Sequence, residues 1–93
     1  MSEVRKNADR QQFEVWVDDE HVGLLTYIPD GNVWLLPHTE VQPAFEGRGL
    51  AGELVRATLD EARAEGVTVI PACPYVARWI ERHPDYADLV ATR

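Results

Sequence analysis

A strand-like run ends at Val41, an amphipathic stretch begins near Gly49, and the turn between them, Gln42-Pro43-Ala44-Phe45-Glu46-Gly47-Arg48-Gly49, constrains this chain more than any other segment. Gly47 and Gly49 carry no Cβ, so the backbone there can take positive φ and approach a ligand closely. The first N–H groups of the helix that follows have no partner within it and carry a partial positive charge. Such a strand-to-helix turn can cradle a pyrophosphate. The same two glycines also suit a plain tight turn and helix cap, and spacing alone does not separate the two uses.

The chain around this turn alternates in short periods and then lengthens. Residues Met1 to Arg10 are polar and lack periodicity, which predicts a loose lead-in. Phe13, Val15 and Val17 alternate with polar neighbours as in a half-buried strand, Asp18-Asp19-Glu20 makes a turn, and His21–Ile28 is a second strand. Pro29-Asp30-Gly31-Asn32 turns the chain into a third, Val33–Val41. Pro37 cannot donate to a ladder, so a bulge or bend is expected there. Once alternation resumes, His38 and Glu40 share one face and Thr39 and Val41 the other.

From about Gly49 to Glu65, Ala51, Leu54, Val55, Thr58, Leu59 and Ala62 form a helical stripe, with Gly66 as its C-terminal cap. Val67-Thr68-Val69-Ile70 is then a short buried strand, parallel to its neighbour by a right-handed crossover. A final helix starts at Pro74, aligns Tyr75, Val76, Trp79, Ile80 and His83, and stops at Pro84. In the segment from Asp85 to Arg93, Tyr86, Leu89 and Val90 are expected to pack back on the core. The expected fold is α+β: a three-stranded antiparallel meander, a helix, a parallel strand and a helix, in one domain over residues 1–93.

Charge and composition remove several classes. The net charge of −7, with nine scattered Lys and Arg, argues against nucleic acid and against an anionic membrane surface. No apolar run approaches the roughly 20 residues that cross a bilayer, and the polar start lacks a signal-peptide core, so a cytoplasmic protein is expected. Cys73, the single cysteine, suits a reducing compartment. The acidity serves solubility or attracts a cationic acceptor.

The order Val41-Gln42-Pro43, then Phe45-Glu46-Gly47-Arg48-Gly49-Leu50-Ala51, resembles the acetyl-CoA signature of the GNAT acetyltransferase superfamily. There a strand ending in Val-x-Pro leads to a Gln/Arg-x-x-Gly-x-Gly/Ala turn and a helix. Glu46 stands where that family usually has Gln or Arg; Gly49 and Ala51 match. The resemblance runs from His38 to Val76 and implies a minimal GNAT-like domain without the usual helical arm after the first strand and without the last two strands. It implies acetyl-CoA as cofactor, held by Thr39, Val41, Glu46, Gly47, Arg48, Gly49, Leu50, Ala51, Gly52 and Cys73. Acetyl would pass to an amine acceptor, a small molecule or a protein, from a monomer or weak dimer. A non-catalytic acyl-CoA sensor or interaction module is the alternative, and a plain binder of ATP or a dinucleotide would share the glycine turn.

Acetyl transfer to an amine needs a base for the amine and a proton for the departing thiolate. His38 and Glu40 are candidates for the base. GNAT enzymes often place a tyrosine general acid well into the last helix, where this chain has Trp79 and Ile80; Tyr75, a turn earlier, is the available substitute or else a wall of the cofactor groove. Cys73 precedes Pro74 at the helix N-cap, where the terminus favours a thiolate, and is either an acyl relay or a small buried side chain. The three histidines, His21, His38 and His83, lack zinc-type spacing, so no metal is expected.

Overall fold

The structure, a computed structural model, describes residues 1–91. Five strands lie side by side in chain order: β1 (Ser2–Asn7), β2 (Gln12–Val17), β3 (Glu20–Asp30), β4 (Val33–Val41) and β5 (Thr68–Ile70). The first four pair antiparallel and β5 joins β4 in parallel. Helix α1 (Leu50–Glu65) makes the crossover between them, and α2 (Pro74–Arg82) and a 3₁₀ segment (Pro84–Leu89) complete the chain. The expected α+β order is present, with one strand more than the meander foresaw.

That additional strand is β1, formed by the residues expected to be a loose lead-in. It pairs with β2 from Ser2↔Val17 to Asn7↔Gln12. Its side chains on the α1 side are Ser2, Val4 and Lys6, and the helix supplies polar partners for two of them. Ser2 Oγ donates to Glu53 Oε1 at 2.7 Å, and Lys6 Nζ donates to Glu65 Oε2 at 2.8 Å and to Glu61 Oε2 at 3.4 Å. A strand whose inner face is satisfied by ion pairs with residues some fifty positions away shows no hydrophobic alternation of its own.

Helix α1 follows its sequence stripe. Leu54, Val55, Thr58, Leu59 and Ala62 are buried against the sheet, and the buried run starts at Leu50 rather than Ala51, which is only half-buried. Thr58 is tolerated because its hydroxyl donates to the Leu54 carbonyl at 2.7 Å. Leu54 and Leu59 have no exposed surface, and each contributes about 1.5–3 kcal/mol by leaving water. Gly66 ends the helix in the left-handed conformation expected of it. On α2, Val76, Trp79 and Ile80 are buried, and Tyr86 and Leu89 pack back as expected; Val90 forms an isolated parallel bridge with Val69. Thr92 and Arg93 lie outside the described residues.

The interruption expected at Pro37, a bulge or a bend, is a bulge. The register of β3 against β4 is Thr26↔His38 on one side and Ile28↔Leu35 on the other, so Leu36 and Pro37 together oppose Tyr27. A bulge moves every following side chain to the other face. Trp34 and Leu36 point into the core before it; after it Thr39 and Val41 turn towards the helices, and His38 and Glu40 turn out.

Candidate functional site

Two elements build the site. The first concerns the edge of β4. It pairs with β5 only through Val33↔Thr68, Trp34↔Val69 and Leu35↔Ile70, after which β5 ends and the chain turns away. The Cys73 N–H donates to the Leu36 carbonyl at 2.9 Å, and this is where the two chains part. Farther along, the Gln42 N–H donates to Val22 on β3 at 2.8 Å. Backbone groups alternate sides along a strand, so His38 and Glu40 are also directed at β3, and the N–H and C=O of Thr39 and Val41 face the open edge.

The second element is the turn into α1. Gly47 and Gly49 adopt φ of 83° and 77°, and a Cβ built on either meets nothing within 4 Å. Gly49 is the N-cap, without a side-chain cap, and the first helical hydrogen bond is from Glu53 N–H to the Gly49 carbonyl at 3.1 Å. From Gly47 through Gly52, no main-chain N–H finds an acceptor among the described residues. A run of outward-directed donors at a helix N-terminus can hold an anion without help from a side chain.

The open edge and the donor run share a cavity of about 260 Å³ lined by Val41, Phe45, Glu46, Gly47, Gly49, Leu50, Ala51 and Tyr75. Most of the residues expected to hold a cofactor are therefore brought to one groove. Arg48 stands beside it with its guanidinium 5.0 Å from the centre of the Phe45 ring. Gly52 has a second use: a Cβ there would lie 3.3 Å from Trp79 Nε1, so its bareness lets α1 and α2 approach. Phe45, which was not among the expected cofactor residues, lines the same cavity; an aromatic in a polar turn was a visible signal for it.

The candidates for chemistry are not in one place. His38 Nε2 and Glu40 Oε1 are 2.8 Å apart on the outer face of the sheet, with side chains 57% and 62% exposed. Glu40 also borders an open hollow of about 110 Å³ with His21, Val22, Gly23, Leu24 and Gln42. Cys73 lies on the other side of β4. It is the N-cap of α2 as expected, only 7% exposed, with its thiol 3.7 Å from Thr39 Oγ1. Tyr75, aligned with the stripe of α2 and read as a substitute general acid or else a wall of the groove, is 44% exposed, because its position in the first turn faces the groove beside Gly52. It lines the cavity beside the glycine turn. Among the described residues no group of three or more His, Cys, Asp or Glu side chains could hold a metal ion.

Residues 12–89 match the family described as GCN5-related N-acetyl-transferase. The chain belongs to this family. Protein NATD1 of Xenopus tropicalis is 33% identical over 84 residues, covering 87% of this chain and 76% of that one. Its Homo sapiens counterpart is 32% identical over 84 residues, covering 87% and 74%. Among solved structures, a GCN5-like protein of Staphylococcus aureus superposes with a TM-score of 0.74 at 22% identity, over 98% of this chain and 89% of the other. A GNAT family acetyltransferase of Brucella melitensis, in complex with acetyl-CoA, gives 0.61 at 22% identity over 77% and 54%. These two likenesses are of fold. No helix among the described residues is long and apolar enough to cross a membrane.

Proposed function

We propose that this protein binds acetyl-CoA in the groove between the open edge of β4 and the start of α1, and that it acetylates an amine. The observation that carries the proposal is the continuity of the donors: the free N–H run from Gly47 to Gly52 adjoins the unpaired backbone of Val41 and Thr39. The first suits a pyrophosphate and the second an amide-bearing arm. The acetyl-CoA held by the Brucella melitensis family member supports the same choice of ligand.

When bound, acetyl-CoA supplies an acetyl group activated as a thioester. This chain's residues then divide the work by the two faces of β4. The inner face and edge position the ligand through Thr39 and Val41. The outer face offers the His38–Glu40 pair, where the Glu40 carboxylate accepts a hydrogen bond from the ring and orients it. His38 can therefore take the proton of an attacking amine seated in the hollow beside Glu40, and the negative field of the chain draws such an amine in as a cation. Cys73, behind Thr39, serves to fasten α2 to the splay at Leu36 in this reading.

A specific observation favours the second reading, a non-catalytic acyl-CoA binder: Tyr75, the available general acid, stands at the phosphate end of the groove. One experiment separates the two. Thermal shifts with acetyl-CoA, CoA, ATP and NAD come first, since a ligand at a hundred times its Kd stabilises by about 2.7 kcal/mol. Turnover on a panel of amines follows. A shift with CoA species and turnover supports the enzyme; a shift without turnover on any amine supports the binder; no shift with any CoA species removes both.

A further inference from the structure

The family turn and the β4 edge account for the pyrophosphate and the arm of coenzyme A, but leave unused a second cavity on α2. It measures about 160 Å³ and is lined by Tyr75, Arg78, Trp79, Arg82 and His83. Tyr75 lines both cavities, and Trp79 touches the first turn of α1, its Nε1 lying 3.3 Å from where a Cβ on Gly52 would stand. The second cavity thus opens next to the donor run.

Its charge is unusual for this molecule. Arg5, Lys6 and Arg63 are committed to carboxylates, Arg48 lies over Phe45, and Arg56 bonds the Tyr86 hydroxyl at 3.2 Å. Arg78 and Arg82, like Arg10 in the turn before β2, have no side-chain ion pair or hydrogen bond among the described residues, although the chain carries sixteen Asp and Glu, and they alone of these share a cavity. They sit four positions apart on one helix face, where like charges repel unless an anion lies between them. Between them Trp79 is held flat by His83, with ring centroids 3.7 Å apart and planes 11° from parallel, and His83 Nδ1 is 2.7 Å from the Trp79 carbonyl. The walls are fixed and the two guanidinium groups are free to close on a ligand.

Resting on acetyl-CoA as the ligand of the neighbouring groove, we infer that this cavity receives the 3′-phosphate of the coenzyme A ribose. Coenzyme A carries that phosphate on the adenosine side of its pyrophosphate, one sugar away, and the exposed ring of Tyr75 between the two cavities offers the adenine a face to stack on. A phosphate monoester and two arginines make charge-assisted, bidentate hydrogen bonds. The cavity has room for a phosphate and a few waters, at about 30 Å³ each, and not for a whole nucleotide.

The test compares CoA with dephospho-CoA, which lacks only this group, by calorimetry on the full chain and on the double variant Arg78→Gln/Arg82→Gln. Both arginines are exposed, so the variant should keep the wild-type Tm. Wild type should bind CoA roughly tenfold or more tighter than dephospho-CoA. In the variant that gap should close, with CoA weakened and dephospho-CoA unchanged. Equal binding of the two by wild type, or a gap that survives in the variant, overturns the 3′-phosphate assignment and leaves the acetyl-CoA groove standing. Binding of neither overturns the groove and this subsite together.

Discussion

Helix α1 is closed at both ends by a glycine in the left-handed conformation, Gly49 at φ 77° and Gly66 at φ 74°, yet the two ends differ in what they leave over. At the C-terminal end the Gly66 N–H turns back to the carbonyls of Ala62 and Arg63, and Val67 N–H reaches Ala62 as well, so the terminus is satisfied by the protein itself. At the N-terminal end no described residue caps the donors, and a cavity stands before them. The same backbone device is a finished stop in one case and an unfinished socket in the other. The distinction lies in where the orphan groups go, not in the residue type.

The largest way to break this contrast is Gly49→Val. The side chain would enter the space before the donors, and CoA binding should fall on the order of a hundredfold or more while a cooperative unfolding transition remains. Unaltered affinity by calorimetry would end the socket reading. Of comparable size but in turnover rather than binding, His38→Ala should lower turnover by roughly 10²–10⁴ and leave the Kd for acetyl-CoA in place, which single-turnover kinetics beside calorimetry can resolve. Equal loss in both would mean that His38 belongs to the binding groove.

Gly66→Ala tests the finished end. It forces a side chain into the left-handed region at a cost of about 1–2 kcal/mol in urea unfolding, with the ligand-induced thermal shift unchanged. A pH experiment adds a control away from both ends. Glu14 on β2 is 7% exposed; burial pushes its carboxyl up, but hydrogen bonds from Gln12, Asn7 and Trp16 outweigh this and hold it below the usual glutamate value. A depressed value stabilises the fold above the unfolded pKa, about 4.3, and that contribution is lost as pH falls through the folded one. Glu14→Gln should therefore flatten the fall in Tm on the acid side and leave ligand binding at neutral pH untouched. The smallest effect is expected at Arg56, whose exposed side chain packs on Trp79 and Tyr86: Arg56→Ala should change CoA affinity less than about twofold and stability by about 0.5–1.5 kcal/mol.

What the sequence made legible were features whose cause is local. The stripe of α1, both glycine ends, Pro74 at the start of α2 and the interruption at Pro37 all follow from residue types acting within a few positions. Less legible was anything settled by distant partners. β1 hides because Lys6 and Ser2 are completed by Glu65, Glu61 and Glu53 of α1. The place of Tyr75, core or groove wall, stayed open because period alone cannot tell a first turn that faces a groove from one that faces a core. His38 and Glu40 were correctly paired on one face, but that they lie across the strand from Cys73 depends on the bulge and on the placement of α2.

The bulge at Leu36–Pro37 also makes the chain sensitive to counting rather than to chemistry. A strand repeats every two residues, so one unpaired residue is a half-period phase slip that the segment from His38 to Val41 inherits. Deleting Pro37 would restore the phase and exchange the two faces at once, sending an imidazole and a carboxylate towards the helices and Thr39 and Val41 into solvent. An insertion of two residues at the same point keeps the phase. Homologous chains that preserve this arrangement are therefore expected to vary in length here by even numbers, whatever residues they use.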